Sequence, residues 1–509
     1  MNVATAGGTD AAVEDERASA RHHEPWFVGA VVAAFVVSRM LYYWVAGVHF
    51  DMYQLHLADA LLDPSLLRHD LFRSLWYLHV QPPGFNLLVG SVLQLSPFGD
   101  RFSLQVVFQI VGVFLIVGLY DVTRRLGLNQ WTALVVAVVI GCSPGTLMYE
   151  NGLSYDYLAA ALVIWVVAFT IRWVATGRLR ALVGLVAVAT ATVLVRALFH
   201  PLWLVVVVVL ALLMRRPNRW TWRHIVTLAV PFALVGGLMV KNEVLFGTPQ
   251  LSSLLGFNMW RVAVAALPPG TAADLRKDGT ITAPLQPPRC KLQYPGVPAL
   301  ADEQKPTAIG GVHPRNANWE CFLPYYARLQ HDAIRVIEKK PFAVAKNIAG
   351  SFELWAYPSS LFPSDNIKEL RTADAVYRRT VLLDVVWTPP VALPVDRPAT
   401  TKRYHLSITI VLGTLAVIGA GVVVLAQWSL RRRAISPVRA GMLMGAFCVA
   451  FVTFASTVLE HGENPRLRFP AEPLTLLLTA VIVITAVRAL LASRTDHVGL
   501  EARSARAIL

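Results

Sequence analysis

Apolar residues recur toward both ends of this chain in runs of roughly 20, the length that crosses a hydrocarbon core of about 30 Å as a helix. Those runs predict helices over residues 26–48, 103–122, 131–148, 156–174, 181–199, 201–214 and 224–240, then over 405–427, 438–459 and 471–492. The long stretch between them, 242–404, has no such run. It is rich in Pro and Gly up to about residue 318, then reads as helix from Cys321 to Lys339 and again from Phe342 to Ala356. This pattern predicts a mixed extracytoplasmic domain or a large ordered loop. Residues 79–98 are apolar but short and carry Pro82, Pro83 and Pro97, so they read as a re-entrant or interfacial segment.

Charge placement constrains the threading. Arg124 with Arg125, Arg172 with Arg178 and Arg180, the cluster from Arg215 to Arg223, and Arg431 to Arg433 all flank apolar runs, as the positive-inside rule expects of cytoplasmic loops. If 79–98 spanned the membrane, every one of these loops after it would invert. Keeping it non-spanning gives ten crossings with both termini in the cytoplasm. The fold class expected is therefore an all-α polytopic membrane protein, with about ten transmembrane helices plus interfacial or re-entrant helices in the first outer loop. Its parts are a cytoplasmic tail 1–25, a transmembrane module 26–241 with first outer loop 49–102, the domain 242–404, helices over 405–492, and a tail 493–509.

Composition agrees. Of 509 residues 55% are hydrophobic and 15% charged, against about 25% charged in a soluble domain, which excludes a water-soluble protein. The net charge of +14 suggests nucleic acid only until the basic residues are located; at helix ends they mark topology instead. No cleavable signal is evident in the polar first 25 residues, and Arg in excess over Lys among much Ala and Val is the composition of a GC-rich bacterial genome, favouring a bacterial plasma membrane. Cys142 and Cys448 fall in apolar runs. Cys290 and Cys321 share the polar stretch, where either two free thiols or a bridge worth about 3 to 4 kcal/mol is compatible with the sequence.

Chemistry is then confined to the segments opposite the basic loops. His49, Phe50, Asp51, Met52 and Tyr53 follow the first helix and put a carboxylate at the outer boundary, and Asp51 is the leading candidate for a base. Residues 52–78 carry Asp59, Asp63, His69 and Asp70 among Leu, Phe, Trp and Tyr, as an interfacial amphipathic segment would, and His79, Gln81, Pro82, Pro83 and Gly84 follow. Tyr149, Glu150 and Asn151 through Tyr155 and Asp156 form a second acidic outer segment. Lys241, Asn242, Phe246 and Gly247 end a helix, and the last outer loop reads His461 to Pro470 with Arg466 and Arg468. There is no internal repeat or inverted pair of interrupted helices of the kind many transporters carry.

These pieces, over about 26–260 and 405–492, together resemble the GT-C glycosyltransferases of the branch that includes protein O-mannosyltransferases and lipid A aminoarabinose transferase. The chain departs from many relatives in reading Asp51-Met52 where they have Asp-Glu, and 250–404 matches no pattern of the branch. The resemblance implies an inverting transfer of sugar from a polyprenyl-phosphate donor to an envelope glycan, lipid or protein at the outer face of the plasma membrane. Asp51 would take the acceptor proton, and Arg466, Arg468 and Arg196 would bind the donor phosphate. Glu150, Asp156, His79 and His461 would orient the acceptor or a divalent cation, or serve as interfacial hydrogen-bonding groups; no spacing resembles a defined metal-ligand set, so no cofactor is certain and a divalent cation stays open. Besides the sugar donor and acceptor, membrane lipids are the expected partners. The alternatives are a transporter or flippase of a lipid-linked precursor, and a binding module on 242–404 for which Asp51 would be dispensable.

Overall fold

The computed structural model describes residues 8–52, 55, 61–217, 219–284, 318, 322–358, 367–387, 404–431 and 434–506. Cys290, Cys321 and His56 lie outside them, so the disulfide question is not addressed by the described residues. Helix α1 (Gly8–Trp44) contains the apolar segment Pro25–Trp44, and the short helices α2 (Pro64–His69), α3 (Leu71–Trp76) and α4 (Gly84–Leu95) follow in the first loop. The bundle continues with α5 (Asp100–Arg125), α6 (Gln130–Gly141), α7 (Pro144–Asn151), α8 (Tyr155–Thr176), α9 (Leu179–Val195), α10 (Pro201–Met214) and α11 (Trp222–Phe246).

The central region contributes α12 (Leu255–Trp260), which runs into a π-helical turn at Arg261–Ala265, then α13 (Pro269–Lys277), α14 (Phe322–Lys339), α15 (Pro341–Trp355) and α16 (Ile367–Thr380). Strands β1 (Asp384–Trp387) and β2 (Tyr404–Ser407) pair antiparallel, with Asp384 opposite Ser407. Helices α17 (Ile408–Arg431), α18 (Pro437–Val458), α19 (Asn464–Arg468) and α20 (Glu472–Arg506) complete the described chain.

The protein is an all-α polytopic membrane protein. Seven of the described helices are long and apolar enough to cross a membrane, and the pair α6 and α7, bent by 53°, makes up to eight. The expected ten is reached only by adding α9 and α10, whose 17 and 14 residues give about 25 and 21 Å of helix. The run expected as one helix over 131–148 is broken because Ser143 caps a new helix, its Oγ accepting from the Thr146 N–H, and Pro144 occupies the first position. The same Ser-Pro or His-Pro device starts α18 at Ser436 and α10 at His200, while glycines in left-handed conformation end α8 at Gly177 and α11 at Gly247.

Helix ends assemble at one face. Arg101, in the first turn of α5, donates to the carbonyl of Phe50 just past α1, so α5 begins where α1 ends and α4 between them makes no net crossing. Gly84, opening α4, lies so close to α9 that a Cβ would stand 2.7 Å from the Leu194 carbonyl oxygen. At the opposite face Asp121 pairs with Arg125 and Arg172, and Arg215 donates to the Val174 carbonyl. The basic loops therefore share one end of the bundle and the acidic segments the other. Helix α8 is the post between them, with 78% of its apolar window buried against 11% for α11.

The central region packs on the acidic face. Ala263, Val264, Leu275, Ala333 and Val336 form a small core of their own, and Asp332 takes the backbone N–H groups of Thr282 and Ala283. Helix α15 joins it to the bundle through Asn347, which donates to Val262, and through Trp355 and Tyr357 beside α19. Leu370 of α16 covers Val48, Leu147 and Met148.

Candidate active site

Asp51 is buried where the chain leaves α1, and its backbone N–H donates to the Asn151 carbonyl at 2.7 Å. The neighbouring Glu150 is held from several sides. Arg39 of α1 donates from Nε to both carboxylate oxygens at 3.1 Å and pairs through Nη2 at 2.5 Å, and the Tyr157 hydroxyl donates at 2.8 Å. Tyr43 adds a hydroxyl 3.4 Å from Glu150 and 3.1 Å from Asn151 Oδ1. Glu150 is thus turned into the bundle rather than toward the Asp156 group.

One turn of chain later, Ser154 caps α8 and Asp156 stands at its first turn, fully buried. Arg196, leaving α9, brings Nε 2.9 Å from Asp156 Oδ1 and lays its guanidinium over the Tyr155 ring at 4.0 Å. Arg466 reaches the same ring at 5.8 Å, approaches Asp156 Oδ2 at 3.7 Å, pairs with Glu463 at 2.7 Å and is 25% exposed. The loop between α18 and α19 supplies Glu460, which pairs with Arg261 of the π turn at 2.7 Å. Gly462 permits this contact: its φ is +116°, and a Cβ there would lie 2.6 Å from the Arg261 guanidinium. Burial pushes the Glu460 carboxyl up to about 7 even against Arg261. Glu463 is exposed on one side, and against the desolvation that would raise its carboxyl Arg466, Arg261 and Arg196 together hold it below its ordinary value.

An aromatic wall joins the two acidic positions. Phe50 meets Phe108 edge-on at 5.8 Å, Phe108 meets Phe85 at 6.4 Å, and Phe85 meets Tyr155 at 5.5 Å. The first loop contributes Phe85 from α4, which is why a non-spanning segment belongs in the site.

The remaining candidates hold the scaffold together. Arg468 pairs with Glu472 at 2.8 Å and donates to the carbonyls of Trp355 and Tyr357. His79 is sealed between Ser253 Oγ, 2.9 Å from Nδ1, and the Asn318 carbonyl, 2.9 Å from Nε2. A carbonyl only accepts, so Nε2 carries the proton and Nδ1 accepts from the serine. Burial lowers the His79 pKa to about 3, so this ring stays neutral. Lys241 donates to the carbonyls of Trp76 and Leu78, and His461 Nδ1 lies 2.9 Å from Ser351 Oγ. Among the described residues no three His, Cys, Asp or Glu side chains gather as a metal site.

Arg39 and Arg261 were not foreseen as parts of this assembly, while Tyr155 was read only as part of the acidic outer segment and Glu460 only as a charge balancing the last outer loop. Only Arg39 left a clear signal, a lone charge within an apolar run. A many-pass helical bundle thus brings acids, arginines and a folded-back first loop to one face, and a family match over part of the chain supports a membrane glycosyltransferase of the GT-C type. Residues 80–239 match the family model for dolichyl-phosphate-mannose-protein mannosyltransferase. That segment carries Glu150, Asp156 and Arg196 but leaves Asp51, Arg466 and the central region outside it. No curated protein matches the chain.

Proposed function

We propose that the protein is an inverting transferase that moves a sugar from a polyprenyl-phosphate donor to an envelope glycan, lipid or protein at the outer face of a bacterial plasma membrane. The observation that carries this reading is Arg196. Its guanidinium is buried, yet among the described residues it meets only one Asp156 oxygen and the Tyr155 face, although it has five N–H groups to give. Such a group, with Arg466 beside it, suits the phosphate of a lipid-linked sugar. The gathering of Arg125, Arg172 and Arg215 at the other end supports an outward-facing site.

In this reading an acceptor hydroxyl attacks the anomeric carbon as the bond to the phosphate oxygen breaks. The hydroxyl proton passes to Asp51, and the departing electron pair leaves on a phosphate whose charge Arg196 and Arg466 meet. One carboxylate suffices because the displacement is single and inverting. Asp156 keeps both guanidinium groups in place, and a divalent cation is not needed by the steps described.

The test is transfer of radiolabelled mannose from polyprenyl-phosphate mannose to an envelope extract, with wild type and Asp51→Asn compared at equal folded amounts. Loss of roughly 10²- to 10⁴-fold in the variant is expected of a removed general base. Equal rates in both proteins would remove Asp51 from the chemistry. Absence of turnover in wild type with mannosyl, pentosyl and aminosugar donors alike would favour lipid translocation instead.

A further inference from the structure

The transfer chemistry leaves Arg39 and Glu150 without a part, although they form a buried ion pair inside the apolar body of the bundle. Burying two charges gives little stability over well-packed apolar residues of the same volume, so such a pair has to be explained by what it fixes. Here the geometry is specific. The chain breaks at Cys142 and Ser143 and turns by 53° into α7, a helix of eight residues whose direction α6 no longer dictates. Two turns of helix do not hold themselves in place.

Arg39 reaches across that break. Its Nη1 donates to the Gly141 carbonyl at 3.2 Å, the last residue of α6, while Nε and Nη2 grip Glu150 near the end of α7. One planar guanidinium therefore binds both sides of the bend, and the Phe35 ring lies 3.9 Å beneath it. The residue after Glu150 is Asn151, whose carbonyl holds the Asp51 N–H and whose side chain meets Tyr43. We propose that Arg39 and Glu150 are positioning residues that clamp the bend between α6 and α7 and so fix Asp51 through the Asn151 carbonyl. This rests on Asp51 being the base, but the clamp has a consequence that does not depend on turnover.

The experiment uses full-length protein in detergent and compares wild type with Arg39→Met combined with Glu150→Met, which removes both charges and leaves none unpaired. Three quantities are read: thermal midpoint, hydrogen exchange at the Asp51 amide, and kcat and KM with polyprenyl-phosphate mannose. A folded double variant should exchange the Asp51 amide about tenfold faster or more. Its kcat should drop on the order of 100-fold, the cost of a base misplaced by about 1 Å, with KM held within about threefold. A double variant with wild-type protection at Asp51 overturns the clamp whatever its activity. If wild type turns over no donor, the transferase reading falls while the amide still decides the clamp. Should the double variant not fold, Tyr43→Phe keeps the pair and removes one hydroxyl from Asn151. Faster Asp51 exchange with a roughly 3- to 10-fold lower kcat supports the clamp, and no change in either overturns it.

Discussion

Arg196 and Arg468 sit at the same face, both nearly closed to solvent, and differ in what their N–H groups touch. Arg468 is consumed by the protein itself: a carboxylate and two backbone carbonyls take its donors, tying α15 to the start of α20. Arg196 rests on an aromatic face beside a single carboxylate oxygen. A guanidinium saturated by carbonyls fastens two segments, whereas one with donors in excess of its acceptors is equipped to receive an anion. In the proposed function two residues of identical chemistry thus divide into scaffold and receptor by surroundings alone.

The contrast is sharpest in Arg468→Met. It leaves Glu472 buried without its charge partner and should cost about 3 to 5 kcal/mol, read as a lower thermal midpoint. Donor affinity per folded molecule should stay unchanged, and adding Glu472→Met should restore much of the midpoint. Arg196→Gln should differ in what it does to the donor. It too lowers the midpoint, since buried Asp156 is left with Arg466 alone, but per folded molecule binding of polyprenyl-phosphate mannose also weakens by about 30- to 100-fold, because truncating a desolvated charge contact costs roughly 2 to 3 kcal/mol. Arg466→Gln, at a position a quarter exposed, should weaken binding by less, about 3- to 10-fold. Loss of affinity in the Arg468 variant with none in the Arg196 variant would erase the distinction.

Two smaller effects appear in the pH dependence of stability. His79 is held near 3 in the folded protein against an ordinary 6.5, so its contribution is full above 6.5 and is lost as pH falls toward 3. Glu460 runs the other way. Its folded pKa of about 7 exceeds the ordinary 4.5, so the folded state keeps its proton longer and stability declines as pH rises from 4.5 to 7. Midpoints measured across pH 4 to 8 should lose the acid-side slope in His79→Gln and the opposing slope in Glu460→Gln. Identical profiles for wild type and both variants would mean neither group titrates as its burial requires.

Much of the bundle was legible because a membrane imposes one rule on every span, and helices near 103–122, 156–174 and 438–459 follow directly from it. The non-spanning character of 79–98 was also readable, since its prolines and the downstream arginines agree. The break at Ser143-Pro144 was written in the sequence as a cap and a missing N–H, but uniform hydrophobicity hid it. Site partners were harder to read. Arg466 and Arg468 are two residues apart and look equivalent until α15 takes one of them, and Glu150 looked outward until Arg39, 111 residues earlier, drew it inward. Hydropathy reports depth in a membrane and carries no information about which long-range neighbour a charge will meet.

The separation of Tyr155 from Arg466 in sequence has a consequence for how the protein is made. These contact partners are 311 residues apart, and at ribosomal speeds of about 5 to 20 residues per second the second follows the first by roughly 15 to 60 s. During that interval Asp156 is already threaded with α8, while the helices that will enclose it do not yet exist. Arg196, one helix further on, arrives within seconds and neutralises the carboxylate until the last loop is delivered. The face is therefore completed late in biogenesis: a nascent chain stalled before α19 carries the Arg196–Asp156 pair but not yet the arginine that closes over Tyr155.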